Sequence, residues 1–275
     1  MALSKSDLRA FKEFEKSGWE RAADPYHHHW GKLSQQSAVP LLDAAKVVAG
    51  RKVLDVATGA GYIAAAAAKR GAQAIGLDFS EAQVRLARRM YPDVEFRQGD
   101  AENLPFEAHT FDALVVGFGI NHLPDPEAAF AEAFRVLKIG GYFAFTVWAA
   151  PEENPGFGIV LGAIEKFGEP NANLPPAPPY FRFAERDQTR RALEEAGFVG
   201  PLTQLVPQYW RHRSPNEVFD AFNEGAVRAT AMLRSQPDDA REKIREVVRK
   251  EVENFREGEG YVVPVPAALS WARKP

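Results

Sequence analysis

Three carboxylates and a pair of glycines carry the first chemical reading of this sequence. The run Asp55-Val56-Ala57-Thr58-Gly59-Ala60-Gly61 stands where a short apolar stretch ends and a helical pattern begins. Glycines there let the chain turn sharply and let an extended ligand approach the backbone, in the crevice beyond the carboxyl end of a first strand. Alone, the loop is weak evidence. Gly59-x-Gly61-x-x-Ala64 also fits a dinucleotide fingerprint, and Asp78 follows Gly59 by 19 residues, where a ribose-binding acid would sit. Asp55 separates the readings, because a carboxylate beside the loop suits a cationic ligand and repels a pyrophosphate. Asp100, in Gly99-Asp100-Ala101-Glu102, adds a third acid. Side chains able to move a proton are Tyr26, the run His27-His28-His29, His122, Tyr180 and His212. His122 follows a strand and should face the crevice; holding its loop by hydrogen bonds is the plainer alternative. Neighbouring histidines point apart on a helix or a strand, so the triple run reads as a solvated turn and no metal site is expected.

These residues need a frame, and residues 52–148 supply one. Short β-branched runs alternate there with longer helical patterns, which reads as βαβ units feeding a parallel sheet. Strands are expected at 52–57, 73–78, 94–99, 111–116 and 142–148, so that the three acids fall at three successive strand ends. Helices are expected at 62–70, at 81–90 behind a Ser80 cap, and from Pro126 behind Asp125 up to Gly140-Gly141. The stretch 149–179, rich in proline and glycine, reads as a loop over the sheet edge. A helix at 185–196, a strand at 202–210, two amphipathic helices at 215–234 and 238–255, and a last strand at 267–273 complete the reading. Ahead of the sheet, residues 8–36 carry Phe11, Phe14, Trp19, Tyr26 and Trp30, and a helix spans 38–48. The expected divisions are a helical cap at 1–48, a ligand-binding core at 49–150, and 151–275, which completes the core and inserts a lid at 214–256.

Composition narrows the function classes. The 275 residues are 45% hydrophobic and 26% charged, as in an ordinary folded chain. A net charge of −3 provides no basic field for a nucleic-acid backbone. Zero cysteines exclude thiolate nucleophiles, disulfides and Cys-ligated metal, and suit a reducing cytoplasm. The first twenty residues lack an apolar core, so they read as neither a signal nor an anchor. No stretch approaches the roughly 20 apolar residues of a membrane span.

Taken together, Val53-Leu54-Asp55-Val56-Ala57-Thr58-Gly59-Ala60-Gly61, Gly76-Leu77-Asp78-Phe79-Ser80, Gly99-Asp100-Ala101-Glu102-Asn103-Leu104-Pro105-Phe106, Phe111-Asp112 and Arg135-Val136-Leu137-Lys138-Ile139-Gly140-Gly141 resemble the class I S-adenosylmethionine-dependent methyltransferases, and among them the quinone-biosynthesis type. The resemblance is close over residues 53–148. It departs at Thr58, often cysteine or glycine in the family, and at Ile139, usually proline. It implies an α/β, Rossmann-like, doubly wound and mainly parallel seven-stranded sheet, with an N-terminal helical cap and a helical insertion before the last strand. It also implies roles. Asp55 would stand near the methionine ammonium of S-adenosylmethionine, and Gly59 and Gly61 under the methionine and ribose. Asp78 would accept both ribose hydroxyls, and Phe79 would pack on the adenine. Asp100 and the Ala101 N–H would take the adenine edge, with Gly117 and Phe118 closing the methionine side. Trp30, Thr58, Gln83 and Glu102 complete the cofactor set. His122 and Tyr26 are the catalytic candidates, and the aromatic cap favours a small apolar or aromatic methyl acceptor. A nucleotide-cofactor oxidoreductase and a non-catalytic S-adenosylmethionine-binding protein are the competing readings.

Overall fold

The computed structural model describes residues 3–170 and 174–275. Its first element is α1 (Lys5–Ser34), a single helix through both proline 25 and the three histidines, started by Ser4 and Asp7 bonding each other's backbone N–H. The histidines therefore lie on a helix and not in a turn. After α2 (Ala38–Ala44), shorter than the 38–48 expected, come β1 (Lys52–Val56), α3 (Tyr62–Lys69), β2 (Gln73–Asp78), α4 (Glu81–Met90), β3 (Glu95–Gln98), β4 (Phe111–Gly117) and α5 (Pro126–Val136). Ser80 and Asp125 cap α4 and α5 as their sequences predict.

The chain leaves α5 earlier than expected. Leu137 is already extended and pairs with Phe111, so β5 (Leu137–Trp148) runs through Gly140-Gly141 with a register shift. A larger difference lies at 149–179, where Asn154 caps a helix with Pro155 in its first turn. This is α6 (Pro155–Phe167), which buries Phe157, Val160, Ala163 and Ile164. Proline favours a first helical turn, and that apolar spacing outweighs the three glycines at 156, 158 and 162. Residues 171–173 of that expected loop lie outside the described residues. Then follow α7 (Arg186–Glu195), β6 (Val199–Val206), β7 (Tyr209–His212), α8 (Glu217–Gly225), α9 (Val227–Arg234), α10 (Asp238–Val252), β8 (Arg256–Glu257), β9 (Gly260–Pro264) and β10 (Ala267–Arg273). The expected strand at 202–210 is two strands parted by Pro207, and the helix at 215–234 breaks at Ala226, which is extended.

Seven strands form one sheet in the order β3-β2-β1-β4-β5-β10-β6, and β7, β9 and β8 form a small antiparallel one. The first five strands of the large sheet run parallel, and β10 runs antiparallel to both neighbours. Burial follows the period of two. Val53, Ala113, Val115 and Ala144 join the core on one face, and Leu54, Val56, Leu114, Val116 and Phe143 join that on the other. This order reverses at β1, where β2 lies on one side and β4 on the other, and such a switch point opens a crevice at the strand ends.

Candidate active site

The crevice is shaped first by the backbone. Ala57 after β1 and Phe118 after β4 hold φ of +53° and +59°, unusual for residues bearing a Cβ, and both bend the chain away from its strand. Gly59 is also left-handed, and a Cβ built there would meet nothing nearer than Gln83 Oε1 at 3.8 Å. The space above the loop is thus open to a ligand.

Asp78, at the end of β2, lines this space. One of its oxygens accepts the Gly59 N–H and the other the Ser80 N–H, each at 2.9 Å. The carboxylate is thereby fixed as a fork with a lone pair left on each oxygen, which suits a vicinal diol. Burial pushes its pKa up to about 6 against the pull of those N–H groups. Asp55 lies below the loop. Its Oδ2 accepts the Thr58 hydroxyl at 2.6 Å and the Ala64 N–H at 2.9 Å, while its Oδ1 is buried without a partner. Burial raises its pKa to about 7.

Thr58, Gly59, Asp78, Phe79, Gln83, Asp100, Ala101, Glu102, Gly117 and Phe118 all line one cleft, together with Tyr26 and His122. Three expected cofactor residues do not. Asp55 is walled off beneath the loop, where its contacts hold the turn. Gly61 begins α3, and a Cβ there would strike the Phe96 ring at 2.6 Å, so packing and the φ of +85° account for it. Trp30 is in the core, donating its indole N–H to the Ala221 carbonyl at 3.0 Å and packing on Trp148, Phe157, Trp210 and Phe222.

The helix α1 closes the cleft with residues the sequence reading passed over. Lys12 Nζ lies 2.6 Å from Asp100 and 2.7 Å from Glu102. Burial opposes its charge, but the two carboxylates outweigh it and raise its pKa. Glu20 accepts the Glu81 and Ala82 N–H groups at the start of α4, where the helix dipole favours an anion. Glu15 is 1% exposed, and its Oε2 accepts the Trp19 indole N–H at 3.1 Å and lies 2.9 Å from His122 Nδ1. With Nδ1 donating to Glu15, His122 keeps Nε2 free. The signal for this face was a spacing: Glu15, Trp19, Tyr26 and Trp30 stand 4, 7 and 4 residues apart, as on one continuous helix.

Beside the cleft lies a chamber of about 360 Å³, walled by Trp30, Trp148, Phe157, Tyr180, Phe181, Phe222 and Met232. Trp19, Tyr26 and His122 belong to both spaces, so His122 stands at their junction. Tyr180 meets its ring edge-on at 5.6 Å. Burial pushes the Tyr26 and Tyr180 phenols well above their ordinary values, so both stay protonated and neither is a base near neutral pH. The other histidines point elsewhere. His27 meets the Tyr62 hydroxyl, His28 is exposed, and His29 reaches Glu224 at 3.1 Å. His212 packs on Trp210 and pairs with Glu217 in the small sheet, outside both spaces.

Comparison with known proteins agrees with this architecture. A sequence profile described as a methyltransferase domain matches residues 54–145. A demethylmenaquinone methyltransferase of Renibacterium salmoninarum is 37% identical over 115 residues, 42% of this chain and 48% of the relative. One from Beutenbergia cavernae is 32% identical over 168 residues, 58% of this chain and 70% of the relative. The chain spans about half the length of most of the curated relatives it matches. The solved phosphoethanolamine N-methyltransferase 2 of Haemonchus contortus superposes with a TM-score of 0.58 at 16% identity, over 96% of this chain and 60% of that one, and so shares its fold. The ordered motifs at the strand ends, the strand order with its reversed β10 and the extent of the Beutenbergia match lead to one conclusion: the chain belongs to the class I S-adenosylmethionine-dependent methyltransferases.

Proposed function

We propose that the protein transfers a methyl group from S-adenosylmethionine to a small aromatic acceptor. One observation carries this reading: a cleft holding the Asp78 fork adjoins an aromatic chamber, and His122 stands where the two meet. S-adenosylmethionine supplies a methyl group on a positively charged sulfur. Asp78 holds the ribose diol, Phe79 and Ala101 flank the base, Asp100 and Glu102 flank its polar edge, and Gly59, Gly117 and Phe118 lie against the methionine end. Asp55 acts from beneath the loop, its field favouring a cation above it. The aromatic walls align the acceptor behind the methyl group and exclude water, which is most of what a displacement requires.

An acceptor hydroxyl or acidic carbon must also lose a proton. His122 Nε2 takes it, and Glu15 holds the ring in place and stabilises the imidazolium that forms, the arrangement by which a buried carboxylate orients a histidine base. Tyr26 and Tyr180, kept protonated by burial, serve as donors to a carbonyl or oxyanion of the acceptor. Since relatives of this chain are demethylmenaquinone methyltransferases, quinol-like rings are the acceptors to test first. The proposal extends to a cytoplasmic setting and to a small molecule, not a nucleic acid, as partner, which the cysteine-free composition and the net charge of −3 support.

The test is transfer of labelled methyl from S-adenosylmethionine to a panel of quinols and phenols. The protein is expected to label at least one of them. His122→Asn should lower kcat by about 10²- to 10⁴-fold, the usual worth of a general base, with S-adenosylhomocysteine affinity within about threefold of the parent. Tight binding of S-adenosylhomocysteine without transfer to any acceptor would instead favour the non-catalytic binding protein.

A further inference from the structure

The acceptor chamber contains one cation that its apolar walls do not explain. Arg228, near the start of α9, lines the chamber among Ala226, Val227, Ala229 and Met232. A guanidinium has five N–H donors. Among the described residues the one hydrogen-bond acceptor it meets is the Pro175 carbonyl, at 3.4 Å, and it has no ion-pair partner. Its side chain is half-buried, and burial works against its charge. Glu15 acts on it across the space without touching it, being bound to His122 and Trp19. Glu165 also lines the chamber but is exposed on α6. Tyr26 and Tyr180 are neutral phenols, and His122, the remaining titratable group there, is an imidazole and never an anion, so none of the three can pair with it.

A half-buried cation with no anion in contact is partly desolvated without full compensation, and the cost falls when a ligand brings the anion. The planar fork of arginine matches a carboxylate through two parallel hydrogen bonds. A chamber of about 360 Å³ walled by tryptophan, phenylalanine and tyrosine takes one or two aromatic rings. Resting on the methyltransferase reading above, we propose that Arg228 selects the acceptor, pairing with the carboxylate of an aryl carboxylic acid whose ring lies between the aromatic walls. The profile match ends at residue 145, so α6, Tyr180 and α9 lie beyond it.

The experiment titrates the protein, saturated with S-adenosylhomocysteine, with paired probes: hydroxybenzoates and hydroxynaphthoates against the amides of the same acids. At least one acid should bind about ten- to a hundredfold more tightly than its amide. Arg228→Gln should erase that preference while S-adenosylhomocysteine affinity stays unchanged, and Arg228→Lys should retain part of it. Equal affinity for acid and amide, failure of every acid to bind, or a preference that survives in Arg228→Gln overturns the proposal. Failure of S-adenosylhomocysteine itself to bind would instead strike the methyltransferase reading, so the two are told apart.

Discussion

Asp55 and Asp78 lie within the same loop system, and each is disfavoured as an anion by its burial. Both carboxyls ionise near 3.8 when exposed and near 7 and 6 in the fold. The folded chain therefore holds protons that the unfolded chain has released. That stabilising share is present below about pH 4 and is lost as pH rises through 6 to 7. The protein without cofactor should accordingly melt at lower temperature at pH 8 than at pH 5. Asp55→Asn keeps an oxygen for the Thr58 hydroxyl and the Ala64 N–H and removes the charge. It should raise the melting temperature at pH 8 by about 2 to 4 °C for each kcal/mol recovered, and flatten the slope between pH 5 and 8. Parallel melting curves for the two proteins across that range would show that Asp55 bears no buried charge. A cationic ligand above the loop relieves the same strain, so cofactor should stabilise the parent more than Asp55→Asn.

Helix α1 does two jobs, and they divide along its length. Its C-terminal half is core: Trp30 and Leu33 are each 1% exposed and join the cluster on one face of the sheet. Its N-terminal half also buries Phe11, and it bears Lys12 and Glu15, which reach the acids after β3 and the imidazole after β4. Removing residues 1–16 takes away the buried Phe11 but leaves Trp30 and Leu33 in the core, so it should leave a folded though less stable protein that has lost about 10²-fold or more in turnover through Glu15. Removal through Gly31 would also take Trp30 out of the core and should prevent folding. Retention of full turnover by the shorter deletion would remove Glu15 from the mechanism.

The same helix shows where the sequence was legible and where it was not. Strand ends after β1, β2 and β3 could be read because local rules determine them: period-two burial, glycine at left-handed φ, a serine cap, a proline in a first turn. Glu15 could not be singled out, since its importance comes from His122, 107 residues away, and an isolated glutamate on a charged helix looks like solvated surface. Leu137 and Phe134 continue the apolar spacing of α5, yet pairing with Phe111 draws Leu137 into β5, a tertiary override of local pattern. In α6 the glycines and prolines read as a loop, because the apolar surface that Phe157 and Val160 bury against is contributed by distant segments. Trp30 lines the chamber and not the cleft; aromatic type alone does not determine which of two adjoining spaces a ring enters.

On the scale of the whole molecule, the strand ends open a cleft, elements mostly outside the profile match wall an aromatic chamber beside it, and no helix among the described residues is long and apolar enough to cross a membrane. Everything proposed for the chamber depends on the cleft holding S-adenosylmethionine. Titration calorimetry with S-adenosylhomocysteine, run on the parent protein and on Asp78→Ala, measures that directly. The expected result is one site per chain, with binding weakened in the variant by about 1.5 to 3 kcal/mol, roughly ten- to over a hundredfold, because a charged acceptor is removed from buried hydroxyls. No heat with S-adenosylhomocysteine, saturable heat with NAD in its place, or an affinity indifferent to the loss of Asp78 would contradict the account.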